Sequence, residues 1–302
     1  MYAWFNRHLE LGLEEPIVER EFRPLPPVQL AVLDDAHPLP ADAVDEERLR
    51  AAMTSAAGAQ LADLVPGNAD ELAEFRRVVG GALEVLTSAA LPEPDAVETP
   101  AELTVQSNVA VLYLRGADNV HAHHDIEMLS GTVGVLVELS DDLDPLLDPQ
   151  RHDLYAGYSW GYNPTILARR VQRVLDQIAW ARELEGIESV RLLATGNTGP
   201  IAILALALAG DAVDRAACEW SWDFDDVEEI DDERMLPGAL RYGGLPYFAG
   251  LCAPMELRLY GLAEAPDVTR ACYEAADEAG KLTAIERLDR EELAAWLSAP
   301  PD

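Results

Sequence analysis

Lysine is all but missing from this chain: Lys281 is the only one, and arginine supplies the rest of the 22 basic residues. Set against 55 Asp and Glu, that leaves a formal charge of −33. A surface of that sign repels phosphate backbones and anionic lipid, which excludes nucleic-acid and membrane-surface roles. Cysteine is scarce too. Cys218, Cys252 and Cys272 are odd in number, lie in apolar segments and lack CxxC spacing. They read as reduced core thiols, excluding a disulfide framework or a zinc knuckle. No run of 18 apolar residues exists, so no bilayer-spanning helix is expected. The opening Met1-Tyr-Ala-Trp-Phe-Asn-Arg-His has neither the basic start nor the long apolar centre of a secretory leader. The expectation is a soluble chain, cytoplasmic by default and exported only through a fused or co-assembled partner.

What is present is a core. The chain has 302 residues, 49% of them hydrophobic. That suffices for one large domain or a domain with an appendage, and rules out global disorder. Carboxylate excess with little lysine is also the composition of proteins kept soluble in concentrated salt, where ions screen self-repulsion. Halophily is therefore an expectation about solvent, not about chemistry.

Two regions separate near Pro100. Residues 1–100 carry helical patterns broken by prolines: a short amphipathic helix over Tyr2–Leu11, an extended strap at Phe22-Arg-Pro-Leu-Pro-Pro, and helices over 45–57 and 69–90. In the last, Leu72, Phe75, Val79, Leu83 and Leu86 recur at three- and four-residue steps. Beyond 100, strands alternate with helices. Strands are predicted at 109–114, 132–139, 190–195, 214–219, 257–260 and 284–288. Helices are predicted at 164–185, 201–209, 268–279 and 290–298. Alternation of this kind implies right-handed crossovers and a mostly parallel sheet covered on both faces. The predicted fold class is α/β, a three-layer sandwich with an N-terminal helical extension.

In open α/β sheets chemistry gathers where strands end and helices begin. The best-formed junction is Arg191-Leu-Leu-Ala-Thr-Gly-Asn-Thr-Gly-Pro-Ile-Ala-Ile-Leu: apolar strand, glycine turn, apolar helix. That is the setting of a nucleophile elbow, G-x-S-x-G, which holds a serine hydroxyl above the sheet. Here Gly196, Asn197, Thr198 and Gly199 form a vestige of it. Thr198 stands at the nucleophile position and Pro200 at the last glycine. A β-branched residue crowds a turn of positive φ, and proline is read as removing the closest strand–helix contact. The Gly199 N–H is left as half of an oxyanion hole. Histidine argues further against a triad. All six (His8, His37, His121, His123, His124, His152) precede Thr198, whereas this arrangement runs nucleophile, acid, histidine.

Other clusters have plainer readings. His121-Ala-His123-His124-Asp125 matches most of an HxHxDH metal pattern, but Ile126 takes the final histidine position and only His152 remains downstream. His121, His123 and Asp125 are thus weak metal candidates, and a solvated loop is the plainer reading. The aromatics of 155–162 and Trp220-Ser-Trp-Asp-Phe-Asp read as loop anchors, with sugar stacking as the alternative. The acidic run 223–233 lacks EF-hand glycine spacing and reads as a solvated loop, not a calcium site. No GxGxxG context exists, so no cofactor is expected.

The run Tyr155-Ala-Gly-Tyr-Ser-Trp-Gly-Tyr-Asn163 with its following helix resembles the C-terminal region of large bacterial α/β-hydrolase proteins. These are provisionally named acetyl xylan esterases, or dienelactone-hydrolase-like. Segments 210–216, 236–246 and 251–254 carry the same resemblance, and 1–19 is similar to the piece joining their two hydrolase-like units. The resemblance implies an α/β-hydrolase-like sheet whose first two strands are shortened or missing. It also implies an upstream hydrolase domain or subunit as the catalytic unit, with a carbohydrate ester as its substrate. The chain is then expected to be a degenerate, non-catalytic companion of an acetyl-ester hydrolase. The alternatives are an active ester hydrolase using Thr198, or a metal-dependent hydrolase at 121–125.

Overall fold

The computed structural model describes residues 1–19, 21–93, 107–116, 131–139, 161–230 and 232–300. Its contacts divide the chain into two units, Met1–Met53 and Thr54–Asp302. The sequence reading drew its line at Pro100. The division lies earlier because the apolar stripe Leu72, Phe75, Val79 and Leu83 belongs to the same core as the sheet.

In the first unit, α1 (Tyr2–His8) is followed by α2 (Pro27–Leu30). The proline strap behaves as its sequence demands, with Pro26 extended and the helix starting only at Pro27. The Asn6 side chain ties the end of α1 down. It donates to the Leu13 carbonyl and accepts from the Leu13 N–H, each at 2.8 Å. Among the described residues of this unit none is buried. Helix α3 (Glu46–Ala62) runs through the division and also has no buried residue.

The second unit opens with α4 (Ala69–Phe75), capped by the Asn68 side chain accepting from the Asp70 and Glu71 N–H groups. A five-residue π segment, Arg76–Gly80, carries it into α5 (Gly81–Thr87), which Ser88 ends in the left-handed conformation. Six strands follow: β1 (Val109–Arg115), β2 (Val133–Glu138), β3 (Ser189–Ala194), β4 (Arg215–Glu219), β5 (Glu256–Tyr260) and β6 (Leu282–Ile285). They form one sheet in the order β2-β1-β3-β4-β5-β6, and every pairing is parallel. Among the described residues no strand of this sheet precedes Val109.

Alternation along the strands sorts the core into two layers. Ala110, Leu112, Leu114, Val190, Leu192, Ala194, Ala216 and Cys218 face one side, together with α6 (Ile166–Arg182), α7 (Thr198–Ala209), α8 (Gly244–Gly250) and α9 (Asp267–Ala275). Val109, Val111, Tyr113, Leu193 and Ala217 face the other, against Leu293 and Leu297 of α10 (Arg290–Ser298). Helices on both faces make the three layers, and the fold class matches the sequence reading. Each fully buried Leu or Ile contributes about 1.5–3 kcal/mol of transfer free energy. Accordingly α7, apolar all round, is the central helix and is buried at ten of its twelve positions.

Two details differ from expectation. Pro164 stands just outside α6: Thr165 is the cap, its hydroxyl accepting from the Ala168 N–H at 3.2 Å. The last strand lies at 282–285, two residues early, because the chain from 286 turns toward Asp289, whose carboxylate caps α10. Among the described residues no helix is long and apolar enough to cross a membrane.

Candidate functional site

Strand β1 connects onward to β2 on one side and lies beside β3 on the other, so the sheet has its topological switch point between β1 and β3. The turn from β3 into α7 sits at that point. Its residues are Thr195, Gly196 and Asn197, and only Gly196 has positive φ, at 59°. Asn197 is helical, at φ −62° and ψ −9°, and Thr198 is the first residue of α7. The strain expected at Thr198 is therefore absent. The turn places its left-handed residue two positions earlier, on a glycine, and a β-branched residue at a helix start meets no such crowding.

The hydroxyl of Thr198 is committed to the backbone. It donates to the Thr195 carbonyl at 2.9 Å and to the Leu114 carbonyl at 3.3 Å, and the residue is 2% exposed. Gly199 corrects two expectations. Its N–H donates to the Gly196 carbonyl at 3.1 Å, so it is already used and is not left for an oxyanion. Gly199 also marks the closest approach of helix to sheet: a Cβ there would stand 1.8 Å from the Glu219 carbonyl oxygen. The close contact is kept at Gly199, which is why proline is tolerated at 200.

Neighbouring strands fasten the turn. Glu219, at the end of β4, accepts from the Gly196 N–H at 2.7 Å. Ser221 donates to the Gly196 carbonyl at 2.8 Å, and the Trp222 indole to the Asn197 carbonyl at 3.2 Å. Tyr113 and Thr195 share a hydrogen bond of 3.2 Å across β1 and β3. The carboxylate nearest the turn thus holds backbone, not an imidazole. Among the described residues of the second unit there is no histidine. His8 and His37 lie in the first unit, where His37 pairs with Asp34 at 2.8 Å. His121, His123, His124, Asp125 and His152 lie outside the described residues, as does the aromatic run 155–160. Among the described residues no group of three or more His, Cys, Asp or Glu could hold a metal ion.

Beside Thr198 is a cavity of about 400 Å³ at the carboxyl ends of the strands. Leu139, Leu167, Ile201 and Trp222 supply its apolar wall. Its charged lining was missed by the sequence reading. Arg170 of α6 pairs with Glu233 at 2.6 Å. Arg234 forks onto Asp232 through contacts of 2.6, 3.0 and 3.2 Å, and its guanidinium lies 5.9 Å from the centre of the Trp222 ring. The Arg234 hydrogen bond holds the Asp232 carboxyl below the usual carboxylate range. The signal in the sequence was a lone cation, Arg234, directly after the acidic run 223–233.

Two further carboxylates of that run, Asp223 and Asp226, hold backbone, while Asp225, Glu228 and Glu229 are exposed. Asp223 caps the short turn Phe224–Asp226 and accepts from the Phe224 and Leu245 N–H groups. Burial nonetheless pushes its carboxyl up. Trp222 and Phe224 are buried and meet edge to face at 5.5 Å, in keeping with loop anchors. A larger cavity of about 800 Å³ opens at the opposite strand ends, beside Ser189, Asp214 and Glu256. Position decides between the two, since ligands of such sheets collect at the carboxyl ends.

No family model matches the chain, and no curated protein matches it in sequence. Solved structures do resemble it. Est1E from Butyrivibrio proteoclasticus has a TM-score of 0.40 at 10% identity, covering 67% of this chain and 89% of its own. A carbohydrate esterase family 15 glucuronoyl esterase from Caldicellulosiruptor kristjansonii has a TM-score of 0.40 at 13% identity, covering 66% and 69%. A Bacteroides fragilis protein provisionally named acetyl xylan esterase has a TM-score of 0.52 at 11% identity, covering 82% of this chain and 84% of that one. With its six-stranded parallel sheet and a glycine turn at the switch point, the chain has an α/β-hydrolase-like fold, the fold of that acetyl xylan esterase-like structure.

Proposed function

We propose that the chain is a non-catalytic domain of α/β-hydrolase-like fold, the structural companion of an acetyl-ester hydrolase. The observation that carries this reading is the Thr198 hydroxyl, buried and bonded to two backbone carbonyls, with no histidine after it in the sequence. A hydroxyl becomes a nucleophile when a base accepts its proton; here the hydroxyl proton serves the fold. The named likeness to an acetyl xylan esterase supplies the partner's chemistry. The first unit supplies the means of contact. Among the described residues it leaves Trp4, Phe5, Phe22, Val28 and other large apolar side chains exposed, and it buries none. Apolar surface on that scale marks a protein interface.

Intact-mass analysis after treatment with a fluorophosphonate ester, which phosphonylates activated hydroxyls with loss of fluoride, tests the catalytic half. An unchanged mass is expected, and an adduct on Thr198 contradicts the reading. Co-expression with a serine-elbow hydrolase encoded beside this gene tests the other half. Association that requires residues 1–53 is expected; none with the full chain would defeat the companion role.

A further inference from the structure

We propose that the strap at residues 22–27 is a polyproline ligand, which docks along an aromatic-lined groove of the companion hydrolase with Arg23 over a carboxylate at the groove's rim. The proposal rests on the companion role and deepens it, naming the segment that makes contact and the chemistry that receives it. Its basis is first covalent. Arg23, Leu25 and Pro26 each precede a proline, which disfavours the helical region for them, and the proline rings fix φ at 24, 26 and 27. Pro26 stands at φ −63° and ψ 150°, near the roughly −75° and 145° of polyproline II. That helix has three residues per turn. Phe22 and Leu25 therefore share one edge, Pro24 and Pro27 a second with P-x-x-P spacing, and Arg23 lies on the third. A segment stiffened in this way loses little entropy on docking.

The strap is presented, not packed. Every residue from 21 to 30 is exposed, Phe22 by 79% and Leu25 by 56%. Among the described residues the carbonyls of Arg23, Pro24 and Leu25 accept no hydrogen bond, and Arg23 makes no ion pair. A mere spacer needs stiffness but no bare apolar edge. The unused groups specify their receptor. Prolines have no N–H to extend a ladder, so the strap is unsuited to adding a strand to a sheet. Flat aromatic faces suit the pyrrolidine rings, and Trp or Tyr among them can donate to the free carbonyls. A guanidinium without a counter-charge calls for a carboxylate opposite it.

Calorimetric titration of the full chain against the serine-elbow hydrolase encoded beside its gene tests the proposal, with the thermal midpoint of each variant measured alongside. Leu25→Ala, which empties one side-chain pocket, should weaken association about tenfold. Pro24→Ala combined with Pro27→Ala should abolish it. Arg23→Glu should weaken it, and more so in dilute salt. All midpoints should equal that of the wild-type chain, since the strap buries nothing in its own fold. Association that survives these changes would overturn the proposal, making the strap a spacer and leaving the companion role standing. Weaker association accompanied by a lower midpoint would overturn it too, because the strap would then serve this chain's own fold. No association of the wild-type chain would defeat the companion role and the proposal together.

Discussion

Arg191, at the centre of the sheet and without exposed surface, donates to the Leu297 carbonyl in the last turn of α10 at 2.6 Å. Arg215 repeats the contact one strand along, donating to the Trp296 carbonyl at 3.1 Å. Two strand arginines thus satisfy terminal carbonyls of the helix and set positive charge at the negative end of its dipole. The Trp296 ring completes the clasp, with the Arg258 guanidinium 4.2 Å from its centre. A charged residue buried in a parallel sheet is here the fastening of its second layer.

Arg191→Met keeps the apolar stem and removes the donor. The loss of a charge-assisted hydrogen bond should lower stability by about 1.5–3 kcal/mol. Urea unfolding measures this, and limited proteolysis should cut first near α10. A midpoint equal to wild type would show that the clasp is incidental.

Gly199→Ala forces a methyl into the Glu219 backbone, where a Cβ would lie 1.8 Å from the carbonyl oxygen. Overpacking against backbone should cost about 3 kcal/mol or more. Pro200→Ala removes atoms from a buried helix position instead of adding one, and should cost less, about 1 kcal/mol. Comparable unfolding midpoints for the two variants would contradict the geometry.

The three thiols are buried, and burial holds each in its protonated form. It pushes Cys252 and Cys272 up to about 12 from the ordinary 9.0 and raises Cys218 as well. Groups with raised folded-state values contribute stability below the unfolded value and lose it above. Stability should therefore fall as pH rises from 9.0 toward about 12. A disulfide reagent in mildly alkaline buffer should label all three cysteines in denaturant and none in the folded protein. Rapid labelling of the folded chain would contradict their burial.

With a formal charge of −33, self-repulsion opposes the compact state until salt screens it. The thermal midpoint should climb steadily as potassium chloride rises from dilute to molar. A flat or falling midpoint would separate the composition from any halophilic role.

Periodicity made the layers legible: Leu72, Phe75, Val79 and Leu83 announced a buried helix face, and the run Val109–Leu114 announced a core strand. It did not reveal that this helix belongs to the sheet's own core. A sequence-local pattern marks which face is buried but not what covers it. The elbow was legible as strand, glycine turn and helix, but its hydrogen bonds were not. Whether the Gly199 N–H is free depends on the carbonyl of Gly196, and so on backbone angles that composition leaves open. The pairing of Arg170 with Glu233 spans a sequence separation of 63 residues, beyond any local motif.

The central claim is that Thr198 does structural, not chemical, work. Hydrolysis of 4-nitrophenyl acetate by the purified chain, beside its Thr198→Ala and Thr198→Ser variants, tests it most directly. The account requires all three to release nitrophenol no faster than buffer. Turnover by the wild-type chain that disappears in Thr198→Ala would contradict it.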